Sequence, residues 1–231
     1  MNLLARESAR AALPLGTPQA LGFLQLRTDP LFHRLTPAQR VELVTAALED
    51  GWQLARAHRA RASRCPWALA EDLGVKVREA QDDPRLGTTV VCAEYRTRHR
   101  DVLLFTSVLA QLQSTLDGVE FDLPAPVDVK SAFLAHELFH HLDLSRGSDS
   151  LSRRHRVCLF RLGPWRWTSG LTSLPEIAAG AFAQALLDLP FHAKLLELFV
   201  VLEADASAAQ RYVEALAESS LAFPEPSGAT A

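Results

Sequence analysis

The sequence lacks the features that mark exported and membrane-spanning proteins. Its three cysteines, Cys65, Cys92 and Cys158, are odd in number and widely spaced, so no disulfide framework is predicted and a reducing compartment is favoured. No run of about 18 apolar residues is present, so no membrane span is predicted. Arg6 and Glu7 follow the N-terminus too early for the apolar core of a signal peptide. We therefore expect a cytoplasmic protein without a membrane partner.

Lysine is also scarce, and the positive charge is nearly all arginine. The formal net charge of −3 leaves no overall basic field, which argues against direct nucleic-acid binding. Hydrophobic residues make up 48% of the chain and charged residues 22%. This composition predicts a globular protein with a substantial core rather than a disordered chain.

Helical patterns dominate the N-terminal part of the chain. The strongest begins at Thr36, a favourable N-cap, followed by Pro37 at the first helical position. Apolar residues then recur at intervals of three and four as far as Trp52. The predicted organisation is an N-terminal helical extension (1–62), a main domain (63–222) and a disordered tail (223–231).

The hydrophobic period changes to that of strands between residues 75 and 106. The segments that carry this period are residues 75–78, 88–95 and 101–106. They predict a small, mainly antiparallel sheet between helices. The fold class is therefore α+β, helix-rich, with the helical extension preceding the domain.

A long polar connection is predicted over residues 145–172, with the segment Trp165-Arg166-Trp167 inside it. A connection of this length is often functional, for instance as a cleft wall or lid. Its arginines at positions 153, 154 and 156 are interpreted as a solvated surface. The functional alternative is recognition of an acidic segment of a substrate.

The motif with a specific chemical meaning is H-E-x-x-H at residues 136–140. On a helix, His136 and His140 lie one turn apart on one face, with Cβ atoms roughly 5–6 Å apart. Two imidazoles at that separation can bind one zinc ion, and Glu137 can reach a water molecule there as a general base. Leu134, Leu138 and Leu142 form an apolar stripe beside the motif, which places the histidines at the edge of a core.

A zinc peptidase also needs a third protein ligand and an open position for water. The downstream candidates are Asp143, His155, Glu176 and His192. Asp143 could instead orient a histidine by accepting its hydrogen bond. Ser173-x-x-Glu176 fits a capping box, in which the glutamate serves only its own helix. Residue spacing leaves these alternatives open.

The two histidines belong to a longer pattern, in which H-E-x-x-H is followed by Glu176-x-x-Ala179-x-x-Phe182-Ala183-x-x-Leu186-Leu187-x-x-Pro190. This pattern resembles the ImmA/IrrE family of zinc metallopeptidases over residues 66–190. The family has an asparagine where this chain has Gly180, and this difference removes one candidate support for the glutamate.

The resemblance implies that His136, His140 and Glu176 bind zinc in a gluzincin-type site and that Glu137 is the catalytic base. It also implies limited proteolysis of an intracellular protein, a transcriptional repressor, in a stress or mobile-element response. The alternative function is a zinc-stabilised regulatory module that binds a protein partner without cleaving it. A DNA-binding regulator using helices at residues 37–73 is a second alternative.

The tetrahedral intermediate of peptide hydrolysis requires one further hydrogen-bond donor for its oxyanion. The candidates for this donor are Tyr95, His155 and Tyr212. Their positions in the sequence do not distinguish among them.

Overall fold

The structure is a computed structural model that describes residues 12–61, 64–81, 85–86, 89–117, 127–196, 198–199 and 206–223. Its helices are α1 (Pro18–Arg27), α2 (Pro37–Arg61), α3 (Pro66–Asp72), α4 (Thr106–Asp117), α5 (Val129–Ser145), α6 (Leu151–Arg154), α7 (Ser173–Leu187) and α8 (Ala206–Ser220). Its strands are β1 (Lys76–Ala80), β2 (Arg85–Leu86), β3 (Thr89–Val90), β4 (Ala93–Arg96), β5 (Asp101–Phe105), β6 (Arg156–Leu162) and β7 (Trp165–Gly170). The predicted helix-rich α+β class is confirmed.

The main sheet contains three strands in the order β1-β5-β4. β5 is central and apolar, with Val102 and Leu104 fully buried. It pairs antiparallel with β4 and parallel with β1. The parallel pair is possible because a long segment returns the chain in the same direction between β1 and β5. The single strand predicted over residues 88–95 is divided between two ladders, since β3 pairs with β2 and β4 with β5.

The N-terminal helices pack against α7 and share one hydrophobic core with the rest of the protein. Thr36 caps α2 as expected, because its hydroxyl accepts from the Gln39 N–H at 3.2 Å. α2 continues through Gly51, where it crosses α7 at close range. A Cβ at position 51 would collide with the carbonyl oxygen of Ala178, so glycine allows the two helices to approach each other.

The predicted polar connection over residues 145–172 is corrected by the structure. It contains a 3-10 turn, the short helix α6 and the antiparallel hairpin β6–β7. Phe160-Arg161-Leu162 and Trp165-Arg166-Trp167 alternate on either side of Gly163-Pro164, and Gly163 has a φ of 57°. Alternation around a turn is the usual signal of a hairpin.

Some predictions concern residues that the structure does not describe. They include most of the tail at 223–231 and the boundary between residues 62 and 63. The division into an extension and a domain therefore stays a prediction. Among the helices that are described, none has the length and hydropathy needed to cross a bilayer.

Candidate metal centre

α5 presents His136 and His140 on one face, one turn apart. Their ring centroids lie 5.0 Å apart, and their side chains are 21% and 19% exposed. Leu134 and Leu138 on the other side of the helix are fully buried. Because this apolar face fixes the rotation of the helix, the imidazoles are held at the rim of the core with one side open to solvent.

Glu176, in the first turn of α7, points at both histidines. Its Oε2 lies 3.1 Å from Nε2 of His136, and its Oε1 lies 3.4 Å from Nε2 of His140. The capping-box alternative required this carboxylate to turn back toward the start of its own helix. That alternative is wrong, since each carboxylate oxygen faces a histidine.

The start of α7 is held instead by Asp29, a 5% exposed residue beyond the end of α1. Its Oδ2 accepts from the N–H and the hydroxyl of Ser173, both at 3.1 Å, and from the hydroxyl of Thr172 at 3.3 Å. Its Oδ1 accepts from the N–H of Leu31 at 2.9 Å. A carboxylate here satisfies a free helical N–H and interacts favourably with the helix dipole. The N-terminal part of the chain therefore fixes the turn that carries Glu176.

Glu137 lies on the neighbouring face of α5, beside β4 at the edge of the main sheet. Its Oε2 accepts from the N–H of Tyr95 at 2.8 Å. One ligand atom from each of His136, Glu137 and His140 lies within 4.8 Å of the others. This group could therefore hold a metal ion.

Two carboxylates thus lie beside the histidine pair, and their contacts distinguish them. Glu176 places one oxygen against each imidazole, whereas one oxygen of Glu137 is taken by the backbone of Tyr95. A cation between the imidazoles would meet the Glu176 carboxylate directly. The geometry therefore favours Glu176 over Glu137 as the third donor.

The Glu176 carboxyl is ionised. Burial opposes its ionisation, but hydrogen bonds to His136 and His140 outweigh burial and hold the pKa of the carboxyl well below its usual range. Solvent still reaches the group, since its side chain is 44% exposed. A metal ligand must be deprotonated, and Glu176 meets that requirement over the whole physiological range.

His192 occupies the space left open by Gly180. A Cβ at position 180 would collide with Cε1 of the His192 ring, and His192 is fully buried. Its Nε2 donates to the Ile177 carbonyl at 3.2 Å, and its Nδ1 accepts from the Lys194 N–H at 3.3 Å. With both ring nitrogens engaged, His192 is not available as a ligand. It links the first turns of α7 to the segment that follows this helix.

Burial lowers the pKa of His192 to about 3, an effect that its bond to the Ile177 carbonyl only partly opposes. The ring is therefore neutral at physiological pH. Neutrality agrees with its contacts, since Nδ1 accepts a hydrogen bond and carries no proton.

Asp143 and His155 are placed away from a ligand role. Asp143 Oδ1 accepts from the Leu151 N–H at 3.0 Å, which ties α6 to the end of α5. Burial raises the pKa of Asp143, and this bond opposes the rise. Burial lowers the pKa of His155, with Arg154 acting in the same direction and Asp50 against it. His155 therefore lies among the charges between α2 and α6.

The other two candidates for the oxyanion donor are Tyr95 and Tyr212, and each has contacts elsewhere. The Tyr95 hydroxyl lies 2.8 Å from Nδ1 of His141 and is engaged there. Tyr212 belongs to α8, which packs against α1. Sequence reasoning missed the role of Asp29, for which no local signal exists. It also missed the pairing of His192 with Gly180, for which the small residue in an apolar helix was a signal.

Comparisons of the chain with protein-family models, with curated proteins and with solved structures give no match. The resemblance over residues 66–190 therefore rests on its two motifs. What the site can do has to be argued from its own geometry.

Proposed function

We propose that the protein is a zinc-dependent endopeptidase of the ImmA/IrrE type. The observation that carries the proposal is the convergence of the Glu176 carboxylate on His136 and His140, at 3.1 and 3.4 Å. Two motifs far apart in the sequence thus supply three donors to one point at the rim of the core. We infer that these three side chains bind the metal.

The donor set fits zinc. Two nitrogens and a carboxylate are common ligands of catalytic zinc, which keeps its fourth position open. Two ligand atoms on a tetrahedral zinc with bonds of about 2.0–2.1 Å lie about 3.3 Å apart. Glu176 places Oε2 at 3.1 Å from His136 and Oε1 at 3.4 Å from His140, so either oxygen has one histidine nitrogen at about this separation.

Glu137 would act as the general base. The Tyr95 N–H holds Oε2 of Glu137 and so fixes the orientation of the carboxylate. Oε1 can then take a proton from the attacking water and later give it to the leaving amine. Zinc, when bound, supplies the Lewis acid that polarises the scissile carbonyl and acidifies the water.

The proposed substrate is an intracellular protein that is cleaved at a limited number of sites. The family resemblance favours a transcriptional repressor as that protein. The competing function, a zinc-stabilised module that binds a partner without cleaving it, uses the same metal ligands but has no need of Glu137.

Glu137→Gln separates these functions. The purified wild-type protein is incubated with a mixture of cellular peptides, and new termini are counted by mass spectrometry. We expect the variant to keep stoichiometric zinc, measured by elemental analysis, and to lose roughly 10²–10⁴ of the cleavage rate because the general base is gone.

The matched control is Glu94→Gln, a change to an exposed carboxylate next to Tyr95, which should leave cleavage unchanged. Zinc content together with equal cleavage by the wild type and Glu137→Gln would favour the binding module. Absence of zinc from the wild type, with no change on His136→Ala, would remove the metal assignment itself.

A further inference from the structure

The distal part of the β6–β7 hairpin, residues 160–167, projects from the body of the protein. We refer to these residues as the finger. All of them are exposed, including the large apolar side chains of Phe160 (51%), Leu162 (68%), Trp165 (68%) and Trp167 (52%). Apolar exposure of this kind at one place marks an interaction site more often than a plain surface.

The base of the hairpin is held together across its two strands and contacts the body of the protein. The Arg156 guanidinium bonds across the two strands to Thr168, at 2.8 Å to the hydroxyl and 2.7 Å to the carbonyl. Arg34 donates to the carbonyl of Leu159 at 3.0 Å. Gly170 packs so closely on the backbone of Ser152 that a Cβ would collide with it. The finger therefore extends from a base that has fixed contacts with the rest of the protein.

The register of the hairpin places the side chains of the finger on two opposite faces. Phe160 pairs with Trp167 and Leu162 with Trp165, so these four side chains share one face. The first pair is stacked, with ring centroids 4.8 Å apart and an interplanar angle of 11°. Arg161 pairs with Arg166 on the other face. Like charges directly opposite each other are destabilising, and a bound anion would offset their repulsion.

The charge along this stretch of the sequence has one sign. Between Asp149 and Glu176 the sequence contains no acidic residue and five arginines, although the whole chain has a net charge of −3. Within the finger the two arginines are the only charged side chains. The partner should therefore present anionic groups together with an apolar environment.

The order of residues along the finger indicates which anionic partner fits. The tip, between Leu162 and Trp165, is apolar, the arginine pair lies one residue nearer the body, and the stacked rings lie nearer still. An anionic bilayer has the same order of layers, since acyl chains lie below the phosphates and tryptophan favours the interface. A single-stranded nucleic acid stacked on the rings would face away from the arginines, which lie on the opposite face.

We propose that the finger binds the surface of an anionic phospholipid bilayer, with its tip at the boundary between headgroups and acyl chains and with Arg161 and Arg166 at the phosphates. We expected no membrane partner because the sequence lacks an apolar run that could span a bilayer. A finger that enters only the interface needs no such run. Both arginines can reach the phosphates while their aliphatic stems remain beside apolar groups.

The test is sedimentation of the full chain with unilamellar vesicles of phosphatidylcholine alone or with a third of phosphatidylglycerol. We expect binding to the anionic vesicles that weakens with salt. Arg161→Gln with Arg166→Gln should weaken it about 30-fold, from the usual contribution of an arginine near such a surface. Trp165→Ala should weaken it about tenfold or more, because a large apolar side chain no longer leaves water.

Matched controls keep the result specific. Arg98→Gln with Arg100→Gln removes two exposed arginines from the turn between β4 and β5, and Leu221→Ala removes a side chain that is 81% exposed. Neither should change vesicle binding, and thermal unfolding should verify that each variant folds.

Three results would overturn the proposal. The first is equal binding to neutral and anionic vesicles, or equal binding by the wild type and both finger variants. The second is self-association that depends on Trp165 without vesicle binding, which would assign the finger to a second copy of the chain. The third is Trp165-dependent binding of a single-stranded oligonucleotide without vesicle binding.

Discussion

The candidate metal site of α5 and α7 and the finger of β6–β7 lie on one continuous stretch of chain, but their side chains are held in opposite ways. At the site, polar groups lie at the rim of the core and are oriented by partners such as Asp29 and Tyr95. At the finger, apolar side chains such as that of Trp165 are exposed to solvent. Each region keeps residues in the environment that ordinary folding disfavours. The comparison teaches that the proposed chemistry depends on precise support, whereas the proposed docking depends on exposure.

If this comparison is correct, changes around α7 should affect stability strongly and changes in the finger should not. Among the polar groups that support the site, the largest expected effect is the pH dependence that comes from His192. Its folded pKa is about 3, against about 6.5 when exposed. Between these values the folded state thus binds fewer protons than the unfolded state. The stability that depends on a neutral His192 is therefore fully present above pH 6.5 and is lost as pH falls toward 3.

We expect the free energy of unfolding of the wild type to fall by about 2–3 kcal/mol more than that of His192→Gln between pH 7 and pH 4.5. Urea unfolding with a chelator measures this difference, because the chelator removes the contribution of bound metal in both proteins. The control is His33→Gln, a change to an exposed histidine, which should follow the wild type. If the free energy of unfolding of the wild type and of His192→Gln falls equally with pH, His192 is not kept neutral by the packing behind α7.

The next effect in size is that of Asp29→Ala. The change leaves the N–H and hydroxyl of Ser173 without their acceptor in a buried place. We expect a loss of about 1–3 kcal/mol in the free energy of unfolding. We also expect zinc affinity to fall about 10- to 100-fold, because the turn that carries Glu176 loses its orientation.

Chemical unfolding and zinc competition with a fluorescent chelator measure the two effects of Asp29→Ala. Thr28→Ala is the neighbouring control, since the Thr28 hydroxyl donates within its own turn, to the Gln25 carbonyl at 2.8 Å. A loss of stability without any loss of zinc affinity would mean that Asp29 supports the helix but not the site.

The sequence predicted the helices of the site because their signals are local. The period of α5 and the spacing of its two histidines depend on neighbouring residues. Residue spacing left the orientation of Glu176 open, and the family resemblance alone implied that it faces the histidines. The group that replaces its capping role is Asp29, 144 positions from Ser173. A long-range contact decides whether the same side chain caps a helix or faces the histidine pair.

The hairpin was missed for a different reason. Its alternation of apolar and charged residues around Gly163-Pro164 is plain in the sequence. Alternation ordinarily indicates a strand with one buried face, but here both faces are exposed, and the length and charge of the segment favoured a polar connection. The signal was therefore present but was interpreted by the rules for buried elements.

The smallest expected effect is that of Trp165→Ala on stability. The side chain is 68% exposed, so its removal takes little apolar surface from the folded core. We expect a change within about 0.5 kcal/mol in the free energy of unfolding, the usual range for surface positions, and unchanged zinc affinity. Phe182→Ala, a change to a fully buried residue of α7, is the contrasting variant and should lose about 3–5 kcal/mol. If Trp165→Ala were comparably destabilising in urea, the tryptophan would be packed in solution. The finger would then be part of the fold, and its exposure could not be attributed to docking.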